Sequence, residues 1–179
     1  ESADQDGFFM LLVQPPNRVP EDQILRKDVI IVLDQSGSME GDKWEQAQEA
    51  AKYILDNLNP ADRFNVIPFS TGWRMYANGL APADDAQGAM DWIDSLIAEG
   101  GTDINGASTN ALNMTDSERS TTILFLTDGL ATEGITETSA ILTNLGDNAK
   151  SNARIFTFGV GDDVDTFLLD AIVRDFNGT

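Results

Sequence analysis

Two apolar runs in this chain end in aspartate. Val29-Ile30-Ile31-Val32-Leu33 leads into Asp34-Gln35-Ser36-Gly37-Ser38-Met39, and Thr121-Thr122-Ile123-Leu124-Phe125-Leu126 leads into Thr127-Asp128-Gly129. Between them lies Gly100-Gly101-Thr102-Asp103. Alternate residues of an extended segment point the same way, so Asp34, Ser36 and Ser38 can converge their oxygens while Gly37 lets the chain bend. Hard oxygen donors suit a divalent cation. Mg²⁺ takes near-octahedral oxygen ligands at about 2.0–2.1 Å and keeps several waters, with Mn²⁺ and Ca²⁺ as alternatives. Thr102 and Asp128 can complete the donor set from two further loops. Because Ser36, Ser38 and Thr102 are neutral, the ion stays electrophilic, and a Glu or Asp carboxylate of a protein partner can take an open position.

Taken singly, each residue has a blander reading. Asp34 or Ser36 could cap a following helix, Thr102 or Asp103 another, and Asp128 could start a turn. The combination of aspartates at two apolar strand ends with an Asp-x-Ser-x-Ser spacing favours the metal.

The remaining elements must bring those three loops together. The β-branched run 29–33 reads as a strand buried on both faces. Trp44, Ala47, Ala51, Ile54, Leu55 and Leu58 then recur at helical spacing until Pro60. The alternation repeats: a strand at 64–69; a helical stripe of Ala86, Met90, Ile93 and Ile97 stopped by Gly100-Gly101; a short helix near 105–113; and a strand at 121–126. A helix marked by Ile141, Leu145 and Ala149, a strand at 155–160 and a closing helix with Phe167, Leu168, Ala171 and Ile172 complete it. The pattern predicts an α/β fold, a doubly wound, mostly parallel sheet flanked by helices, whose ligand crevice lies beyond the carboxyl ends of the strands. Residues 73–76 are expected to form one short antiparallel edge strand. Residues 1–27, with Pro15, Pro16 and Pro20, read as a strand and connector ahead of the domain at 28–179.

Composition narrows the chemistry. The 179 residues hold 11 Lys and Arg against 30 Asp and Glu, a net charge of −19 that repels nucleic acid and anionic membrane. No apolar run approaches the roughly 18 residues of a membrane helix. With neither cysteine nor histidine in the chain, thiolate and imidazole metal sites and Ser-His-Asp catalysis are excluded, so any metal is held by oxygen.

The segments VIIVLDQSGSM, GGTDI and FLTDG together resemble the metal-ion-dependent adhesion site (MIDAS) of von Willebrand factor type A domains. The resemblance spans about residues 28–177 and makes Asp34, Ser36, Ser38, Thr102 and Asp128 the metal site. It implies that the serine and threonine oxygens bind the ion directly, that the aspartates act largely through water, and that a ligand carboxylate completes the shell. The stretches LNPADRF, GGTDIN and IFTFGVGDDVD are closest in flavour to the inter-alpha-trypsin inhibitor heavy chains. That likeness implies a secreted or cell-surface protein in which a β-rich domain precedes this one, with FFMLLVQPP resembling the join.

The expected function is therefore a metal-dependent protein-binding or adhesion module rather than an enzyme. Two rivals stand beside it: a metal-assisted phosphotransferase or hydrolase, for which no base or nucleophile is recognisable, and a structural scaffold domain with a vestigial site. Two smaller expectations remain. Gly161-Asp162-Asp163-Val164-Asp165 reads as the cap of the closing helix, and Arg74, if its segment lies near the metal crevice, can pair with the same acidic partner.

Overall fold

The computed structural model describes residues 25–116, 118–149, 153–162, 164–176 and 178. Its sheet contains β1 (Lys27–Asp34), β2 (Arg63–Phe69), β3 (Ala81–Pro82), β4 (Ser120–Thr127) and β5 (Ala153–Gly159), in the spatial order β3-β2-β1-β4-β5. β1 runs parallel to both β2 and β4, and β4 to β5; β3 alone is antiparallel, on β2. The helices are α1 (Asp42–Asp56), α2 (Ala86–Asp94), α3 (Ile104–Asn113), α4 (Thr138–Asn148) and α5 (Thr166–Asp175).

β1 is apolar from Val29 to Leu33 because both its faces are covered. Val29, Ile31 and Leu33 pack with Trp44, Ala47, Ala51 and Leu55 of α1 and with Ala89 and Ile93 of α2. Ile30 and Val32 turn to the opposite layer, among Ile104, Ala111, Ile141 and Ile172 of α3, α4 and α5. The chain leaves β1 toward β2 on one side, while β4 and β5 lie on the other. The crevice between the loops after β1 and β4 is therefore the topological switch point, where open α/β sheets keep their ligands.

The predicted class of fold is the one observed, with local differences. The antiparallel edge strand is at 81–82, not 73–76. Residues 73–76 make a single bridge, Phe69 with Trp73, and otherwise run beside β2, where the Arg74 and Tyr76 amides donate to the Pro68 and Val66 carbonyls. The side chain of the buried Asn65 holds the next turn, its Nδ2 donating to the Ala77 and Gly79 carbonyls, so a ladder re-forms only at Ala81. α2 ends at Asp94, leaving Ile97 exposed. The strand expected within residues 1–27 lies almost entirely outside the described residues.

Candidate metal centre at the carboxyl edge of the sheet

Asp34 is the last residue of β1 and fully buried. Its two oxygens are held by neutral donors: the Ser36 amide on Oδ1 at 2.9 Å and the Thr127 hydroxyl on Oδ2 at 2.5 Å. Thr127 closes β4, and its hydroxyl also accepts from the Gly129 amide at 2.8 Å. Burial pushes the Asp34 carboxyl above its ordinary range; the Thr127 and Ser36 hydrogen bonds oppose that, and the charge of Asp128 adds to it.

Ser36 and Ser38 point together, as their spacing predicts, with Oγ atoms 3.0 Å apart. Ser36 is buried and Ser38 exposed, so the pair runs from the interior to the surface. Residues 37–39 form a single 3-10 turn ahead of α1, and neither Ser36 nor Asp34 caps a helix with its side chain. The capping alternative falls instead on Asp103, whose Oδ1 accepts from the Gly106 amide at 2.9 Å at the start of α3. Asp165 likewise caps α5 through the Leu168 amide, as expected of the 161–165 segment.

Thr102 is buried in the second loop, which backbone hydrogen bonds fix on both sides. The Gly37 amide donates to the Gly100 carbonyl at 3.0 Å, and the Thr132 amide to the Thr102 carbonyl at 3.0 Å. Gly100 has φ +86°, and a Cβ there would lie 2.9 Å from the Thr71 hydroxyl, so glycine is needed for the approach. The first, second and third loops are thereby tied into one rim.

Asp128, immediately after β4, is buried, and its Oδ1 has no hydrogen-bond partner. A buried carboxylate oxygen left without a donor is costly unless a cation or water meets it. Oδ2 faces the Lys43 ammonium at 3.6 Å. Among the described residues no group of three or more His, Cys, Asp or Glu is positioned for a metal. Asp34 and Asp128 would therefore need the hydroxyls of Ser36, Ser38 and Thr102 to complete an oxygen shell. The donor set on the rim fits a hard divalent ion: two acids, neutral hydroxyls and one orphaned carboxylate oxygen.

Sequence reasoning missed two residues here. Thr127 orients Asp34 across β1 and β4, and Lys43 reaches Asp128 from the first turn of α1. Both were legible as types, a hydroxyl at a strand end and a lysine at the start of α1, but the partner of each is set by the fold. Beside the rim, Gln35, Ser70, Trp73, Arg74 and Glu99 line a hollow of about 290 Å³. There Arg74 Nη2 donates to Gln35 Oε1 at 3.1 Å, so its segment does lie against the crevice.

A parallel sheet with one antiparallel edge strand and an Asp-x-Ser-x-Ser loop at its switch point define a family. Residues 28–177 match the von Willebrand factor type A domain, and the chain belongs to that family. It is similar to human inter-alpha-trypsin inhibitor heavy chain H2, 33% identical over 184 residues covering 97% of this chain and 19% of that one. With human heavy chain H4 it is 32% identical over 185 residues, covering 97% of this chain and 20% of that one. The chain thus spans about a fifth of the length of these relatives. Among solved structures, a von Willebrand factor type A protein from Catenulispora acidiphila superposes with a TM-score of 0.75 at 27% identity, over 87% of this chain and 38% of that one. Proximal thread matrix protein 1 from the mussel byssus, solved with a zinc-occupied MIDAS motif, shares the fold with a TM-score of 0.69 at 21% identity, over 83% of this chain and 39% of that one.

Proposed function

We propose that this domain is a protein-binding module that coordinates a divalent cation, Mg²⁺ in the first instance, through Asp34, Ser36, Ser38, Thr102 and Asp128, and grips an acidic side chain of its partner through that ion. The observation that carries the reading is Asp128 Oδ1, a buried carboxylate oxygen with no hydrogen-bond donor, on a rim where hydroxyls rather than further acids supply the other oxygens. The ion supplies Lewis acidity toward an incoming carboxylate. The chain's own part is to orient Asp34 through Thr127 and Ser36, and to present Ser38 at the surface. Arg74, which no carboxylate pairs among the described residues, stands beside the rim as a second contact for an acidic partner.

Membership of the family and the likeness to inter-alpha-trypsin inhibitor heavy chains support an interaction module of an extracellular or cell-surface protein. The zinc-occupied site of the mussel protein supports a metal in this fold, with its identity here open to Mn²⁺ or Ca²⁺. No helix among the described residues is long and apolar enough to cross a membrane.

Titration calorimetry with Mg²⁺, Mn²⁺ and Ca²⁺ tests the reading. The wild type should bind one divalent ion, Asp128→Asn should bind it more than about a hundredfold more weakly, and a glutamate-bearing peptide should bind only with metal present. Equal binding by wild type and Asp128→Asn would overturn it.

A further inference from the structure

Resting on the metal reading above, we infer that Lys43 is a tethered cation that shares Asp128 with the divalent ion and sets the concentration at which that ion binds. Lys43 is the second residue of α1 and reaches the rim from outside the donor loops. Its ammonium lies 3.6 Å from Asp128 Oδ2, with a quarter of the side chain exposed against 2% for the aspartate. The stem follows a built path. It lies against Gly161, whose φ is +94° and where a Cβ would meet Lys43 Cδ at 3.1 Å and run into Cε. Gly161 thus keeps clear the passage through which the lysine reaches the acid.

The electrostatics of this arrangement favour competition. Asp128 has one oxygen on the lysine and one without a donor, so a metal would take Oδ1 while Oδ2 stays with the ammonium. A divalent ion held by Asp128 would share one buried carboxylate with the ammonium of Lys43. Lysine and metal repel one another, yet each stabilises the same carboxylate. Without Lys43 the metal would bind more tightly, while the metal-free domain would hold two buried aspartates with no cation at the rim.

The test compares wild type with Lys43→Met, which keeps the stem, and Lys43→Arg, which keeps the charge. Mn²⁺ and Mg²⁺ are titrated calorimetrically, and thermal unfolding is followed in chelator. Lys43→Met should bind Mn²⁺ about tenfold or more tightly than wild type, the scale expected for removing one unit charge beside a divalent ion, and should melt lower in chelator. Lys43→Arg should stay close to wild type in both measurements. Lys43→Met affinity equal to or weaker than wild type would overturn it, because the lysine would then be a spectator or would position Asp128 for the metal. Binding by wild type that survives Asp128→Asn would instead sink the underlying metal reading.

Discussion

β1 carries a buried aspartate near each end, and the two are satisfied by opposite means. Asp28, at the amino end, receives a two-pronged hydrogen bond from Arg63, Nε to Oδ1 at 2.8 Å and Nη2 to Oδ2 at 2.7 Å, with Arg119 a further 3.9 Å from Oδ1. Its charge is neutralised on the spot. Asp34, six residues on, is equally buried, but its oxygens receive an amide and a hydroxyl. Neutral donors orient a carboxylate without cancelling its charge, so Asp34 stays available to a cation while Asp28 is closed. A buried acid is structural or functional according to the charge of what holds it.

The largest expected effect breaks the closed end. Arg63→Met leaves Asp28 without its fork, and removing one partner of a buried ion pair costs about 3–5 kcal/mol. With Arg119 still near and Arg63 itself part-exposed, about 3 kcal/mol is the expected loss in urea unfolding, at the lower end of that range. Metal titration should be unchanged. The equivalent cut at the open end, Asp34→Asn, should leave metal-free stability unchanged or raised, since burial already disfavours that charge, while removing metal binding. If Asp34→Asn destabilises the metal-free domain as much as Arg63→Met, the two ends are not different in kind.

A smaller effect tests whether neutral donors matter at the open end. Thr127→Val keeps shape but removes the hydroxyl that holds Asp34 Oδ2 and accepts from Gly129. Loss of a partner that orients a metal-ligating group typically weakens the metal by about 10–100-fold, so calorimetry with Mn²⁺ should show a fall in that range. An affinity within about threefold of wild type would mean that Asp34 orients itself.

The contrast between the two ends also explains what could be read from the sequence. β1 and β4 announce themselves as apolar runs because both their faces are covered, and the acids that end them stand out against that background. The Asp34, Ser36 and Ser38 convergence follows from alternation along one short segment. Asp28 and Arg63 gave no such signal. They are 35 residues apart and meet because parallel β1 and β2 place them as direct partners, a fact of register rather than of local pattern. Thr127 and Lys43 also owe their partners to the fold, the first to the alignment of β4 beside β1 and the second to where α1 begins. The edge strand was misplaced because Trp73 and Tyr76 have strand-like side chains, whereas the true ladder is two residues long and ends in Pro82, which has no amide to donate. Ile97 extended the α2 stripe by one turn too many; the helix stops at Asp94, and the Ser95 hydroxyl turns back to the Trp92 carbonyl.

The finest test of the comparison is its sign under acid. In chelator, Asp34 titrates above the ordinary aspartate value of 3.8 in the folded domain because burial penalises its charge. Between that raised value and 3.8, the folded state binds a proton that the unfolded state does not, so this group makes stability rise as pH falls through the window. Asp116, which shares Arg63 with Asp28, is held below 3.8 by the Arg63 hydrogen bond. Its contribution is fully present above 3.8 and is lost as pH falls from there through its lowered folded value, the opposite sign. Many other carboxylates titrate in the same range, so the readout is a difference between variants rather than a single melt. Unfolding curves of wild type and Asp34→Asn should converge as pH drops from 7 toward 4, because protonated Asp34 and asparagine are alike in charge. The gap between wild type and Arg63→Met should narrow only lower, below pH 3.8, by the share that Asp116 contributes until it takes up its proton. If the first pair stays parallel through the window above 3.8, Asp34 is not strained by burial, and its neutral donors do more than orient it.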